Sequence, residues 1–291
     1  MGTMEERRSG EAVVHPADWL IGASLSLNDW DMGRVDVAEI VQAGIRCIEL
    51  AWRNDTFDMF DPVQEAKCTR WIGQAIEHGI AIRSLHLPYG PLFDVSATGD
   101  GESEAAVLRH VRLMRLARQW AIGIVILHPS YEPIRDEERP ARMAACKAAL
   151  ASLAAEADRL GVRIAVENLP RTCLGRDSSE MSELAAADPR LLVCCDVNHM
   201  LLESQEMFIG KLGVRIGAVH MSDYDGVDER HWMPGRGVIR WNEVLRSLAK
   251  HGYPGPFLFE VRQPVPTELA ACWQELLADY QKESVSERAP G

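Results

Sequence analysis

The stretch IAVENLP, residues 164–170, is an apolar run of strand character that stops at an ionisable residue, Glu167. Five other short apolar runs stop in the same way, at His86, His128, Asp196, His220 and Glu260. In parallel α/β proteins the carboxyl ends of the strands meet on one face. The repeated pattern therefore predicts strands that bring imidazoles and carboxylates to one polar centre, which is typical of a metal site.

The hydrophobic pattern alternates between short apolar runs and longer amphipathic stretches along the chain. The predicted strands are 19–25, 46–52, 80–87, 122–128, 162–167, 191–196, 216–221 and 256–261. The predicted helices lie near 36–45, 63–78, 102–120, 136–160, 180–187, 201–212, 241–251 and 267–281. Connections of this length keep successive strands parallel. The pattern predicts a single-domain α/β protein, a (β/α)8 TIM barrel over residues 17–282, with disordered tails at 1–16 and 283–291.

Composition and charge narrow the function classes. The chain has a net charge of −12, from 43 acidic and 31 basic side chains, and no basic run exceeds three residues. Nucleic-acid binders depend on lysines and arginines that neutralise phosphates, so no nucleic-acid partner is expected. No apolar run approaches the ~20 residues of a membrane span, so no membrane association is expected either. Seven cysteines without a Cys-x-x-Cys pair predict reduced thiols and a cytoplasmic protein.

Each strand-end residue alone has an ordinary structural explanation, because a histidine at the end of a strand is commonly a hydrogen-bonding group. Six such residues on consecutive strands make a functional site the better interpretation. Glu167 and Glu260 follow strands apolar enough to be buried, and a buried carboxylate is costly unless it is paired or binds a metal. Glu49 also ends a strand, and it is predicted either to face the centre or to form a salt bridge with Arg53.

With these residues, the chain resembles the xylose isomerase-like TIM barrel superfamily from about residue 18 to 280. This superfamily contains the sugar phosphate isomerases and epimerases, and also AP endonuclease family 2. HMSDYDGVDERHWMPGRGVIRW, residues 220–241, is similar to the family pattern His-x-x-Asp-x-x-Gly-x-x-Asp-x-His-x-x-Pro-Gly-x-Gly-x-Ile-x-Trp. GYPGPFLFEV, residues 252–261, resembles the last-strand signature of the isomerase and epimerase branch. One departure is Glu229, which stands where the family usually has aspartate, with Asp228 displaced by one position.

The resemblance implies a divalent-metal-dependent sugar isomerase or epimerase that acts through a metal-bound enediolate. The implied metal ligands are Glu167, Asp196, His220 and Glu260. Glu167 and Glu260 are also the predicted catalytic residues, which remove and return the proton. The predicted substrate-binding residues are His86, His128, His199, His231, Arg230 and Trp52. One metal ion is expected, with manganese favoured and magnesium, cobalt or zinc as alternatives. The predicted partner is a small-molecule carbohydrate, and a homo-oligomer is left open.

Two other functions stay open at this point. The first is a lyase, dehydratase or deglycosidase that uses the same metal site. The second is a zinc nuclease of the AP endonuclease type, for which additional ligands are available: His86, His128, His199, Glu229 or Asp228, and His231. Against the nuclease, ENLPRT at residues 167–172 replaces the Glu-Asn-Thr-Ala-Gly of that branch, and SDYD at 222–225 replaces its Asn-Asp-Ser-Lys. An added acidic residue beside a phosphate site is electrostatically unfavourable.

Overall fold

The computed structural model describes residues 15–52, 58 and 60–286, and a parallel sheet of eight strands forms its centre. The strands are β1 Ile21–Ser26, β2 Cys47–Ala51, β3 Ala81–His86, β4 Ile124–Leu127, β5 Arg163–Glu167, β6 Leu192–Asp196, β7 Ile216–His220 and β8 Phe257–Phe259. Strands β1 to β7 pair with their neighbours in chain order, and β8 pairs with β1. Met221 and Phe259 form a bridge between β7 and β8, so the barrel is nearly closed. The predicted (β/α)8 barrel is confirmed.

Helices connect the strands on the outside of the barrel. They are α1 Leu27–Asp31, α2 Val37–Gln42, α3 Pro62–Glu77, α4 Glu102–Gln119, α5 Arg139–Leu160, α6 Ser178–Ala185, α7 Gln205–Leu212, α8 Trp241–Lys250 and α9 Pro266–Ser286. Helix α1 was not predicted, since five residues are too few to show a helical period. It begins directly after β1, where the Ser26 hydroxyl accepts a hydrogen bond from the amide of Asn28.

The side chains inside the barrel change from apolar to polar along each strand. Because alternate residues of a strand face the same side, a residue at a strand end shares its face with the residue two positions earlier. Ala165 and Cys194 belong to a small apolar cluster, and each stands two positions before a strand-end carboxylate, Glu167 and Asp196. The large apolar cluster lies between the strands and the helices. The barrel interior is therefore apolar below and polar at the carboxyl ends of the strands.

The predicted tails lie mostly outside the described residues. Within the described part, Pro16–Asp18 form a short 3-10 turn, and helix α9 reaches Ser286, beyond the boundary predicted at residue 282. The seven cysteines are all buried and form no disulfide. Among the helices of the described chain, none has the length and apolar character needed to span a bilayer.

His110 on α4 gives the fold a testable pH dependence. Its side chain is buried, Nε2 donates a hydrogen bond to the carbonyl of Phe93, and Nδ1 has no partner among the described residues. Burial lowers the pKa of His110 to about 4, so the unfolded chain takes up a proton below about pH 6.5 that the folded chain refuses. The folded state consequently loses stability as the pH falls from 6.5 towards 4.

We expect the free energy of unfolding of the wild type, measured with urea, to fall between pH 7 and pH 4.5 by about 2 kcal/mol more than that of His110→Gln. Glutamine keeps a donor for the Phe93 carbonyl and removes the titrating group. Equal pH slopes for the two proteins would contradict the assignment of a buried neutral imidazole.

Candidate active site

Four of the predicted site residues meet at the carboxyl ends of the last four strands. Donor atoms of Glu167, Asp196, His220 and Glu260 all lie within 4.8 Å of one another. His220 Nδ1 lies 3.0 Å from Glu167 Oε1 and 3.3 Å from Glu260 Oε2. Glu167, Asp196 and His220 are buried, whereas the Glu260 side chain is 21% exposed. The fold brings the predicted quartet together, and its role as a ligand set stays a prediction.

The unsatisfied oxygens of this quartet fit a cation. Asp196 Oδ1 accepts a hydrogen bond from the amide of Asn198, while Asp196 Oδ2 is buried without a hydrogen-bond partner among the described residues. Glu260 Oε2 is likewise buried without such a partner, and Glu167 Oε2 faces the Nε2 atoms of His86 and His128. Burial, together with the charges of Glu260 and Glu167, raises the pKa of Asp196 well above its ordinary value. Three carboxylates and one imidazole are donors that a divalent metal ion accepts.

Glu49 determines which nitrogen of His220 faces the other three residues. Glu49 Oε1 lies 3.1 Å from His220 Nε2, and the Glu49 carboxylate also accepts hydrogen bonds from Ser24 at 3.0 Å and Ser84 at 2.7 Å. A carboxylate at Nε2 favours the proton there and leaves Nδ1 free for a ligand. Of the two interpretations of Glu49, the structure supports the one in which it faces the centre; Arg53 lies outside the described residues.

The amide of Asn168 was not recognised as a structural part of the site. Its Oδ1 accepts a hydrogen bond from the backbone N–H of Asp196 at 2.8 Å, and its Nδ2 donates to the carbonyl of Asp196 at 2.9 Å. This pair of bonds fixes the end of β6 beside the end of β5. The sequence signal was the buried polar residue directly after Glu167, which needed a partner that only the strand pairing identifies.

His86 and His128 face the second oxygen of Glu167. Their Nε2 atoms lie 3.2 Å and 3.1 Å from Glu167 Oε2, and the ring of Tyr89 stacks on His128 at 4.6 Å. Burial alone would raise the pKa of Glu167, but the neighbouring His220 and His128 hold it well below its ordinary value. Glu167 is therefore a charged carboxylate surrounded by imidazoles.

A second group of donors lies beside the quartet and consists of His199, Glu229 and His231, whose donor atoms are also within 4.8 Å of one another. His199 Nε2 lies 2.9 Å from Glu229 Oε2. The Nδ1 atoms of His199 and His231 contact the backbone carbonyls of Asn168 and Glu260 at 3.0 Å and 3.1 Å. Burial raises the pKa of Glu229, but His199 and Arg171 outweigh it and lower the pKa to about 2.

A cavity of about 760 Å³ opens above these residues. Its lining includes six of the predicted ionisable residues, namely His86, His128, Glu167, His199, His231 and Glu260. Asp196 and His220 lie beneath them, fully buried. Trp52 also lines the cavity, but it is only 2% exposed and packs edge-on against Phe60 and Phe93. The Arg230 guanidinium binds Asp225, with Nε 2.7 Å from Oδ2, and Arg230 does not belong to the described cavity lining.

Buried Asp223 holds the loop that carries Glu229 and His231. Its carboxylate accepts hydrogen bonds from the amides of Gly235 and Ile239, at 2.8 Å and 3.2 Å, and from Trp241 Nε1 at 2.9 Å. A Cβ at Gly237 would lie 2.1 Å from the carbonyl oxygen of Tyr224, so only glycine fits there. The Asp, Gly, Ile and Trp positions of the motif therefore have a structural role. They fix the shape of the loop that presents Glu229 and His231.

Known proteins share the barrel fold of this chain. The family described as xylose isomerase-like TIM barrel matches residues 37–280. The chain belongs to this family. The ketose 3-epimerase of Arthrobacter globiformis is 26% identical over 270 residues, which cover 86% of each chain. An uncharacterised Methanocaldococcus jannaschii protein is 27% identical over 169 residues, 54% of this chain and 56% of that protein. A solved D-tagatose 3-epimerase-like protein is 20% identical, with a TM-score of 0.74 over 93% of this chain and 100% of that one.

In this xylose isomerase-like barrel, Asp223→Ala should lower the free energy of unfolding by about 3 kcal/mol, because several buried donors lose a charged acceptor. Urea denaturation followed by circular dichroism measures the change. Asp225→Ala is the matched control in the same loop, since Asp225 is less buried than Asp223 and should cost less. Equal losses in the two variants would show that Asp223 does not hold the loop.

Proposed function

We propose that the protein is a divalent-metal-dependent isomerase or epimerase of a ketose or a related sugar. The observation that carries the proposal is the pair of carboxylates, Glu167 and Glu260, that line one cavity directly above buried Asp196 and His220. The similarity to the ketose 3-epimerase of Arthrobacter globiformis, over 86% of both chains, supports a ketose as the substrate.

The quartet Glu167, Asp196, His220 and Glu260 would hold the metal ion. When bound, a divalent cation supplies Lewis acidity that polarises a carbonyl and acidifies the neighbouring C–H bond. Glu49 would keep the proton of His220 on Nε2, so that Nδ1 is the nitrogen offered to the metal. Three oxygen donors and one nitrogen suit manganese, and they also accept magnesium, cobalt or zinc.

Proton transfer falls to the two glutamates. Glu167 ends β5 and Glu260 follows β8, so their carboxylates approach the cavity from separate strands. One carboxylate would remove the proton from the carbon next to the carbonyl, and the other would return a proton to that carbon or its neighbour. The depressed pKa of Glu167 keeps its carboxylate ionised. Return on the opposite face gives an epimer, and return at the former carbonyl carbon gives an isomer.

The remaining cavity residues would orient the substrate. His86, His128, His199 and His231 line the cavity and carry ring nitrogens that can hydrogen-bond to sugar hydroxyls. Tyr89 adds aromatic surface beside His128, whereas the Trp52 ring is almost fully buried in the cavity wall. This arrangement supports a polyhydroxylated substrate that lies against a wall of imidazoles. A lyase or dehydratase that removes the same proton would need the same residues.

A second candidate function, a multinuclear zinc nuclease, rests on a specific observation. His86, His199 and His231 each contact a backbone carbonyl through Nδ1, at 2.9, 3.0 and 3.1 Å. Histidines that bind metals commonly donate one N–H to such an acceptor and use the other nitrogen as the ligand. Additional metal ions at these nitrogens would therefore favour a nuclease.

Metal binding is the first test. Titration of Mn²⁺ into chelator-treated protein should reveal a high-affinity ion at the quartet and raise the melting temperature, because a ligand bound only by the native state stabilises it. Asp196→Ala should abolish both effects. Glu49→Gln keeps all four donors and should weaken binding by roughly 10- to 100-fold, the usual effect of removing a partner of a ligating histidine. Unchanged binding in Asp196→Ala would exclude the quartet as the metal site.

The second test separates the glutamates from the metal. Glu167→Gln and Glu260→Gln keep the side-chain shape and one oxygen donor, but they remove the base. Each should lower turnover by at least about 10²-fold while metal content falls only modestly. The assay is the exchange of deuterium from solvent into a panel of ketoses, which reports proton removal even when net conversion is slow. Full exchange in either variant would contradict its role as a base.

The nuclease candidate is tested on the same preparation. Duplex DNA with one abasic site is incubated with the wild type and with Glu167→Gln. Chelator-sensitive incision that is lost in Glu167→Gln would favour the nuclease, as would three bound zinc ions per chain. Exchange into a ketose without incision would favour the isomerase.

A further inference from the structure

Arg171 lies in the loop after β5 and connects three of the loops that form the mouth of the cavity. Its Nε lies 3.0 Å from Glu132 Oε1, in the loop after β4. Its Nη1 lies 2.8 Å from Asp228 Oδ1 and 3.1 Å from Glu229 Oε1, in the loop after β7. Arg171 also lines the cavity. A single guanidinium therefore joins the loops that follow β4, β5 and β7.

The backbone of Arg171 is as unusual as its contacts. Its φ is +54°, a left-handed conformation that residues other than glycine seldom adopt. Such a conformation persists when surrounding contacts enforce it. The carboxylate of Glu132 supplies one such contact, since it binds the Arg171 side chain and accepts a hydrogen bond from the Thr172 hydroxyl at 3.2 Å. The local fold thus aims the guanidinium at the loop after β7.

Glu229 is the partner through which Arg171 reaches the site. The two oxygens of Glu229 have different neighbours, because Oε1 lies 3.1 Å from Arg171 Nη1 and Oε2 lies 2.9 Å from His199 Nε2. Glutamate is one methylene longer than aspartate and has an additional side-chain torsion. A second contact to the Glu229 carboxylate restricts this torsion, and the planar guanidinium of Arg171 is well suited to make that contact.

We propose that Arg171 is a positioning residue that holds Glu229 against His199, and thereby fixes the His199 side chain on the wall of the substrate cavity. The proposal rests on the proposed function, since it assigns His199 a place beside a bound sugar. The other side of the His199 ring is already fixed, because Nδ1 contacts the carbonyl of Asn168 at 3.0 Å. Arg171 and Glu229 complete the restraint from the solvent side.

A double-mutant cycle on the full-length protein tests whether Arg171 acts through Glu229. The variants are Arg171→Met, Glu229→Gln and the double substitution, and kcat/KM is measured on the ketose that exchanges deuterium fastest. Arg171→Met should lower kcat/KM at least about tenfold in the wild type but less than about twofold in Glu229→Gln, because residues that act through one contact are not additive. Arg171→Lys keeps the charge without the planar fork and should lie between Arg171→Met and the wild type.

Arg190→Met is the matched control. Arg190 also bridges two carboxylates, Asp188 and Asp158, but it precedes β6 at the opposite end of the barrel, and its loss should leave kcat/KM unchanged. An Arg171→Met penalty of the same size in both backgrounds would overturn the proposal, since Arg171 would then act through Glu132 or Asp228. The absence of any penalty would overturn it as well. If Arg171→Met does not fold, Arg171→Gln takes its place in the cycle.

A second measurement, of unfolding in urea, distinguishes failure of this proposal from failure of the proposed function. If the wild type exchanges deuterium into no ketose, the proposed function fails, and the same cycle is measured on the urea unfolding equilibrium. Arg171 and Glu229 should then be coupled by at least about threefold in the unfolding constant. Additive effects there would overturn the contact between Arg171 and Glu229 itself.

Discussion

The burial of three carboxylates around one imidazole is the constraint on which the rest of the site depends. Glu167, Asp196 and Glu260 converge on His220 within 4.8 Å, and two of the carboxylates are almost completely excluded from solvent. Like charges at this distance repel strongly in a medium of low dielectric constant. Burial, together with the charges of Glu260 and Glu167, raises the pKa of Asp196, while the neighbouring imidazoles of His220 and His128 lower that of Glu167. A cation at the centre would relieve the repulsion that the fold itself creates.

The barrel can hold these charges because strands such as β5 and β6 carry apolar packing residues below the end and an ionisable residue at the end. Small apolar residues such as Ala165 and Cys194 fill the interior one layer below the carboxylates. The Asn168 side chain binds the backbone N–H and carbonyl of Asp196 and so fixes the end of β6, while the amide of Asn198 donates to Asp196 Oδ1. His220 is held from behind by Glu49, which in turn is held by two serine hydroxyls. The polar layer is thus supported by groups that do not belong to the quartet itself.

The sequence predicted the strands and their ionisable ends because both follow from periodicity along the chain, whereas the choice of the quartet among those residues came from the family resemblance. An ionisable residue after an apolar run needs no knowledge of distant contacts. The role of Glu49 could not be decided, since it depends on the register that aligns Ser24, Glu49 and Ser84 across three strands. The position of the Arg230 side chain could not be predicted either, because its contact with Asp225 depends on the conformation of an irregular loop.

Family membership does not by itself select the chemistry, because the shared motif is largely structural. Asp223 and its donors shape the loop after β7, whatever that loop presents to the cavity. The distinguishing residues are therefore those on the loops, and here they place Glu132, Asp228 and Glu229 around one arginine at the mouth. The three carboxylates give this cluster around Arg171 a net negative charge, which weakens its attraction for a phosphate. A phosphate at this position would have to compete with these three carboxylates for the Arg171 guanidinium, whereas an uncharged hydroxyl would meet no such repulsion.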